Sequence, residues 1–163
     1  MARRLEPGPG QESVWDYPRP PSLTQSDRHV VVELGGVVVA DTTRAWRVCE
    51  TSHPPTYYLP IESFAVGVLR PIAGTTMCEW KGAASYYDVE SENRTIAAGA
   101  WTYPHPNPKF ADLVDHVAIY PGKVDRCTLD GEVVEAQKGD FYGGWITSRV
   151  AGPFKGAPGT LGW

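Results

Sequence analysis

"HVVVELGGVVVADT", residues 29–42, is the stretch that decides the fold. Two valine-rich runs flank Gly35-Gly36. Valine is stiff at χ1 and suits a pleated surface. Paired glycines reach the positive φ angles that a two-residue hairpin turn needs. The stretch therefore predicts two antiparallel strands, and the same grammar continues downstream. "AWRVCET", residues 45–51, reads as a third strand with Trp46 and Val48 on one face and Arg47 and Cys49 on the other. Residues 63–71, "SFAVGVLRP", predict another. "TTMCEW" at 75–80 and "AASYYDV" at 83–89 follow, separated by Lys81-Gly82. "TIAAGAWTY" at 95–103 ends in "PHPNP", which excludes helix because proline lacks the backbone donor. "KFADLVDH", residues 109–116, is the helix candidate, since Phe110, Leu113 and Val114 lie at helical spacing. "VAIYP" at 117–121 and "RCTLDGEVVEA" at 126–136 are further strands, the latter turning at Asp130-Gly131.

Strands at this spacing predict a mainly β chain: a compact antiparallel sandwich or partly open barrel with one or two short helices. Three regions are expected. Residues 1–28, rich in proline and glycine, form an extended N-terminal arm. Residues 29–138 form the β domain. Residues 139–163 form an ordered tail packed on it, because a linker would not carry Phe141, Tyr142, Trp145 and Phe154.

Of the 163 residues, 42% are hydrophobic and 21% charged, enough apolar side chain for a real core. The net charge is −4 and the basic residues are scattered, which argues against a nucleic-acid partner. No run approaches the ~18 apolar residues of a membrane span, so no membrane partner is expected. Arg3 and Arg4 have no apolar stretch behind them, so a secretory signal is not expected and a cytoplasmic setting is. Cys49, Cys78 and Cys127 form no CxxC pair, so neither a structural metal nor a cofactor is anticipated.

The candidate chemistry sits in two stretches. In "ETSHPPTYYLP", residues 50–60, His53 is a candidate general base held extended by Pro54-Pro55, with Glu50 to orient it. The plainer alternatives are a surface turn histidine and an ion pair of Glu50 with Arg44 or Arg47. Adjacent tyrosines Tyr57 and Tyr58 must point to opposite faces, one to the core and one to a cavity. In "CEWKGAASYYD", residues 78–88, Lys81 stands close enough in sequence to activate the Cys78 thiol, against the alternative of a thiol that is merely packed. Tyr86 and Tyr87 repeat the tyrosine pair. Trp80, Trp101, Tyr103, Tyr120, Tyr142 and Trp145 offer aromatic walls, or simple core filling. Trp80-Lys81-Gly82 is not a phosphate loop, because the Gly-x-x-x-x-Gly-Lys-Ser/Thr frame is missing.

The segments 47–60 "RVCETSHPPTYYLP", 75–89 "TTMCEWKGAASYYDV", 97–106 "AAGAWTYPHP" and 114–132 "VDHVAIYPGKVDRCTLDGE" together resemble the bacterial and fungal domain-of-unknown-function family 427. The ends, "ESVWDYPRPP" and "GDFYGGWITSRVAGPFKGAPGTLGW", look like its long actinobacterial-type branch. The resemblance departs after Cys78, where the family usually has proline and this chain has Glu79 and Trp80. It also departs at Tyr87, where tryptophan is frequent. The resemblance implies a β-tent-like fold, akin to zinc-bearing modules and to the thalidomide-binding domain with its aromatic cage. Without paired cysteines this chain would be a metal-free version. Some members carry a nucleotidyltransferase label, but the Gly-Ser pair and spaced aspartates that would hold Mg²⁺ and a triphosphate are absent.

Taken together, these features give the expectation of a small-molecule-binding β domain. Whether it is an enzyme stays open; if it is, acid–base chemistry on a small polar metabolite is expected, with catalytic candidates His53, Glu50, Cys78 and Lys81. Tyr57, Tyr58, Trp80, Tyr86, Tyr87, Trp101 and Tyr120 are the candidate ligand contacts. The alternative is a non-catalytic interaction module with an aromatic face, completed by the glycine-rich tail or by a second copy in a homodimer.

Overall fold

Gly35 and Gly36 take φ angles of 63° and 77°, and the chain reverses there as a tight hairpin. A computed structural model describes residues 3–139 and 141–163. The strands are β1 (Glu12–Ser13), β2 (Ser22–Ser26), β3 (Val30–Leu34), β4 (Val37–Thr42) and β5 (Ala45–Cys49). They continue with β6 (Thr56–Pro60), β7 (Leu69–Cys78), β8 (Gly82–Glu90), β9 (Thr95–Thr102) and β10 (His116–Ile119). The last are β11 (Arg126–Leu129), β12 (Glu132–Val133), β13 (Glu135–Ala136), β14 (Trp145–Ile146) and β15 (Val150–Ala151). The chain is mainly β, and among the described residues there is no closed barrel.

A seven-stranded sheet in the order β2-β5-β6-β10-β9-β8-β7 is joined by a four-stranded sheet in the order β12-β11-β3-β4. Every pairing in these two sheets is antiparallel. Strand alternation assigns each residue of the large sheet to a face. Tyr57, Leu59, Val89, Ala100, Val117 and Ile119 pack with Val30, Val32, Leu34, Cys127 and Leu129 of the small sheet in one core. Leu59 is fully buried there, a contact set whose loss in Leu59→Ala should cost about 2–5 kcal/mol. Their neighbours Val48, Tyr58, Ala84, Trp101 and Ala118 form a second cluster on the opposite face, closed by Phe110 and Leu113.

The remaining segments are docked on this frame. β1 pairs in parallel with β15, and β13 pairs with β14. Trp145 enters the main core, with its ring 5.1 Å from that of Tyr57. Trp15 donates from Nε1 to the Pro153 carbonyl at 2.9 Å and meets the Trp163 ring at 5.5 Å. Among the described residues, no helix is long and apolar enough to cross a membrane.

Two expectations need correction. Residues 63–68 are not strand: a 3-10 turn covers Ile61–Ser63, Gly67 has φ 81°, and Val66 is wholly exposed. Phe64 makes only an isolated bridge to Ala40, and continuous pairing runs from Leu69 to Cys78 through Pro71 and Gly74. β7 is an edge strand, where a missing N–H costs least. The expected helix at 109–116 is a short 3-10 segment, Pro108–Leu113, with irregular dihedrals at Phe110. Asp115 takes φ 57° and His116 already belongs to β10, so sheet pairing claims the last turn.

Candidate functional site

The turn between β5 and β6 and the hairpin between β7 and β8 meet on the Tyr58–Trp101 face of the large sheet. They enclose a cavity of about 330 Å³. Glu50, His53, Tyr58, Cys78, Trp80, Lys81, Tyr86, Trp101 and Tyr120 all line it. Tyr57 and Tyr87, also expected as ligand contacts, do not. Each is the strand neighbour of a lining tyrosine, so the pleat turns it to the other face, against the main core.

Cys78 ends β7 and pairs across the hairpin with Gly82. That tight turn folds Trp80 and Lys81 back over the sulfur. Burial is the largest single influence and opposes ionisation of the thiol, but the Lys81 ammonium and the backbone N–H groups of Lys81 and Trp80 together outweigh it. The Cys78 pKa therefore lies below the ordinary thiol value. Burial also opposes the charge on Lys81, yet attraction to Tyr58, Cys78 and Glu50 holds its pKa above the usual lysine value. The Lys81 Nζ lies 5.6 Å from the centre of the Tyr103 ring. The Asn107 backbone N–H donates to the Lys81 carbonyl at 3.0 Å, and its side chain donates to the Trp80 carbonyl at 2.9 Å. The "PHPNP" loop thus pins the hairpin. The other two thiols differ: burial raises Cys49 to about 11 and Cys127 to about 12.

On the facing wall, burial is the largest influence on His53 and lowers its pKa to about 4. Glu50 pulls the other way, while Lys155, Arg19 and Lys81 add to the depression. Gln137 fixes the tautomer. Its Oε1 accepts from the Gly144 N–H at 3.1 Å and its Nε2 donates to the Lys155 carbonyl at 2.8 Å. The same Nε2 is 3.1 Å from His53 Nδ1, which must therefore accept. The imidazole proton sits on Nε2, 3.7 Å from Glu50 Oε2. A neutral imidazole held this way is a hydrogen-bond donor toward the cavity. The general-base role would need the opposite tautomer. Glu50 pairs with Arg19 at 3.1 Å, while Arg44 and Arg47 pair with Glu62 and Glu12.

The aromatic wall is internally braced. Trp101 donates from Nε1 to the Tyr58 hydroxyl at 3.3 Å and meets the Tyr120 ring at 4.5 Å. The Tyr86 and Thr76 hydroxyls are 2.6 Å apart. Burial first, then the neighbouring Tyr58 and Cys78, pushes the Tyr103 pKa well above the usual phenol range, so it stays a donor.

Residues 22–130 match the family model described as Domain of unknown function (DUF427). The chain belongs to the DUF427 family. No curated protein matches it. The matched span holds the Cys78–Lys81 hairpin, the His53 turn and the aromatic wall. Outside the DUF427 match, the C-terminal segment adds Gln137, Phe141, Tyr142, Gly143 and Lys155 to the cavity lining. The Tyr142 ring lies 5.2 Å from His53, with the Lys155 Nζ 5.8 Å from the Tyr142 ring centre. Gly143 lies flat on the Trp101 indole: a Cβ there would be 2.9 Å from Cζ3 and closer still to Cη2. Residue-type reasoning reaches Tyr103 and Tyr142 as candidate aromatic walls but not Thr76, Gln137 or Lys155. The one local hint of Gln137 and Lys155 is Gly143-Gly144 beside aromatics, which signals close backbone approach.

Proposed function

We propose that this DUF427 chain binds a small polar molecule in the 330 Å³ cavity and acts on it through the Cys78–Lys81 pair. The observation that carries the reading is the pairing of a thiol shifted toward thiolate with a half-buried ammonium inside an aromatic-walled cavity. The volume lies at the lower end of small-ligand pockets, about 300–1,000 Å³. In this reading Cys78 and Lys81 exchange a proton with the ligand, Cys78 accepting it and Lys81 returning it. The His53 Nε2–H donates to a ligand oxygen, and Glu50, anchored by Arg19, borders that position. The ligand is a small molecule rather than nucleic acid, because the basic residues pair with carboxylates across the surface instead of forming one patch. A cytoplasmic setting suits three unpaired cysteines.

A second reading is a recognition module without turnover, favoured by the Tyr58–Trp101–Tyr120 cluster. Lys81 and Lys155 beside these rings disfavour the cationic ligands that aromatic cages usually take. A thermal-shift screen against small polar metabolites identifies a ligand. Its affinity and turnover are then measured in Cys78→Ala and His53→Ala. Catalysis predicts turnover lost in Cys78→Ala with affinity kept within roughly threefold. Turnover that survives Cys78→Ala refutes the catalytic role, and a ligand never turned over supports the recognition module. If no compound raises the melting temperature, the small-molecule reading fails.

A further inference from the structure

Tyr57, turned away from the first cavity, lines a second one. It has a volume of about 190 Å³ and is walled chiefly by Glu12, Arg28, Arg47, Tyr57, Trp145 and Arg149. Three separate parts of the chain bring the guanidiniums together: the turn before β3, the β5 strand, and the loop between β14 and β15. Arg47 and Tyr57 are direct cross-strand partners, so they share a face by register.

We infer that this second cavity is a binding site for a small oxyanion of the carboxylate or phosphate class. Its lining carries three guanidiniums and one carboxylate. Arg47 engages Glu12 at 2.6 and 3.4 Å. Arg28 reaches Asp130 at 3.2 Å and Arg149 reaches the same oxygen at 3.7 Å. Within the lining itself three guanidiniums face one carboxylate, while Asp130 and Glu132, on which Arg28 and Arg149 also act, stand outside it. Each guanidinium has five N–H donors, far more than these pairs use. Arg28 Nη1 donates to the Tyr57 hydroxyl at 3.4 Å, which leaves the Tyr57 proton free to donate onward. The Trp145 Nε1–H is buried without a hydrogen-bond partner among the described residues. Buried donors are nearly always satisfied, and Trp145 itself lines this cavity, so its unpartnered N–H is one further donor that a bound anion could engage after a small shift of the ring. The volume is too small for a nucleotide and suits an anion of a few heavy atoms.

The two cavities share no lining residue. Pro54 lines the first and Pro55 the second; Gly143 lines the first and Trp145 the second. One double segment separates them.

The test is calorimetric titration of the whole chain with inorganic phosphate and, separately, acetate in physiological salt. Saturable one-to-one binding of at least one anion is expected, and the stronger of the two names the subclass. Arg28→Gln and Arg149→Gln should each weaken it about tenfold. Glu12→Gln removes the like charge and should tighten it about threefold or more. Arg149 is more than half exposed, so its substitution leaves the fold intact, which the melting temperature verifies. Cys78→Ala should bind the anion unchanged. The proposal is overturned if neither anion binds saturably. It is equally overturned if both arginine variants keep full affinity, if Glu12→Gln weakens binding, or if Cys78→Ala abolishes it and so places the anion in the first cavity.

Discussion

Acidification is the perturbation that reads the state of His53 most directly. In the folded protein its pKa is lowered to about 4 from 6.5, because burial disfavours the imidazolium and Lys155, Arg19 and Lys81 add to the depression against the opposing pull of Glu50. A folded pKa below the unfolded one means that the unfolded chain binds the extra proton first. Stability from His53 is therefore complete above the unfolded value and is lost as pH falls toward the folded value. Between about pH 7.5 and about pH 5 the linkage integral for these two pKa values gives a loss of about 2 kcal/mol. The imidazole is only 15% exposed, so solvent screening takes little from that figure. Other groups also titrate in this window, and a matched variant cancels them. His53→Gln has no proton to gain there. Urea denaturation of both proteins at the two pH values should show the parent losing about 2 kcal/mol more than the variant. A difference below about 0.5 kcal/mol, or a His53 ring that titrates near the free value by NMR, would refute the buried neutral imidazole and the tautomer derived from it.

Iodoacetamide should label Cys78 well before Cys49 and Cys127, followed by mass spectrometry. Lys81→Met should slow Cys78 labelling near neutral pH, and equal rates at all three thiols would contradict the ammonium's role. Gly143→Ala should cost about 1–3 kcal/mol in denaturant unfolding, because its methyl group has to displace either the Trp101 ring or the tail. Tyr58→Phe strips the acceptor from the Trp101 Nε1–H and should cost about 1–3 kcal/mol. Tyr57→Phe should leave the affinity for a first-cavity ligand unchanged, since its hydroxyl meets Arg28 on the other face.

Much of the frame could be read from local sequence because local chemistry controls it. Gly35-Gly36 and Asp130-Gly131 sit at the turns their φ preferences favour, and the Tyr57-Tyr58 pair splits between faces as any strand must. The pleat also explains why nominating both members of each tyrosine pair overshot: Tyr58 and Tyr86 line the cavity, and their neighbours cannot. Residues 63–68 misled because their apolar pattern matches a strand, while Gly67 and the 3-10 turn before it break the pairing. β7 was harder to read as one strand because it is an exposed edge carrying Pro71 and Gly74, without the alternation that a buried face imposes. Gln137, Tyr142 and Lys155 reach the cavity by docking of a segment more than fifty residues beyond the Cys78–Lys81 hairpin in the chain. No local propensity encodes such a contact. The locked tautomer of His53 depends on that same docking, so a reading of residues 50–60 alone leaves the ring free to act as a base.

Everything functional requires that the imidazole and the thiol face one shared space. The most direct check is the NMR spectrum of the ring nitrogens of the four histidines before and after Cys78 is alkylated with iodoacetamide. The account predicts that the His53 signals shift, while those of His29 and His116 stay in place. An unmoved His53 spectrum on a fully alkylated Cys78 would contradict it.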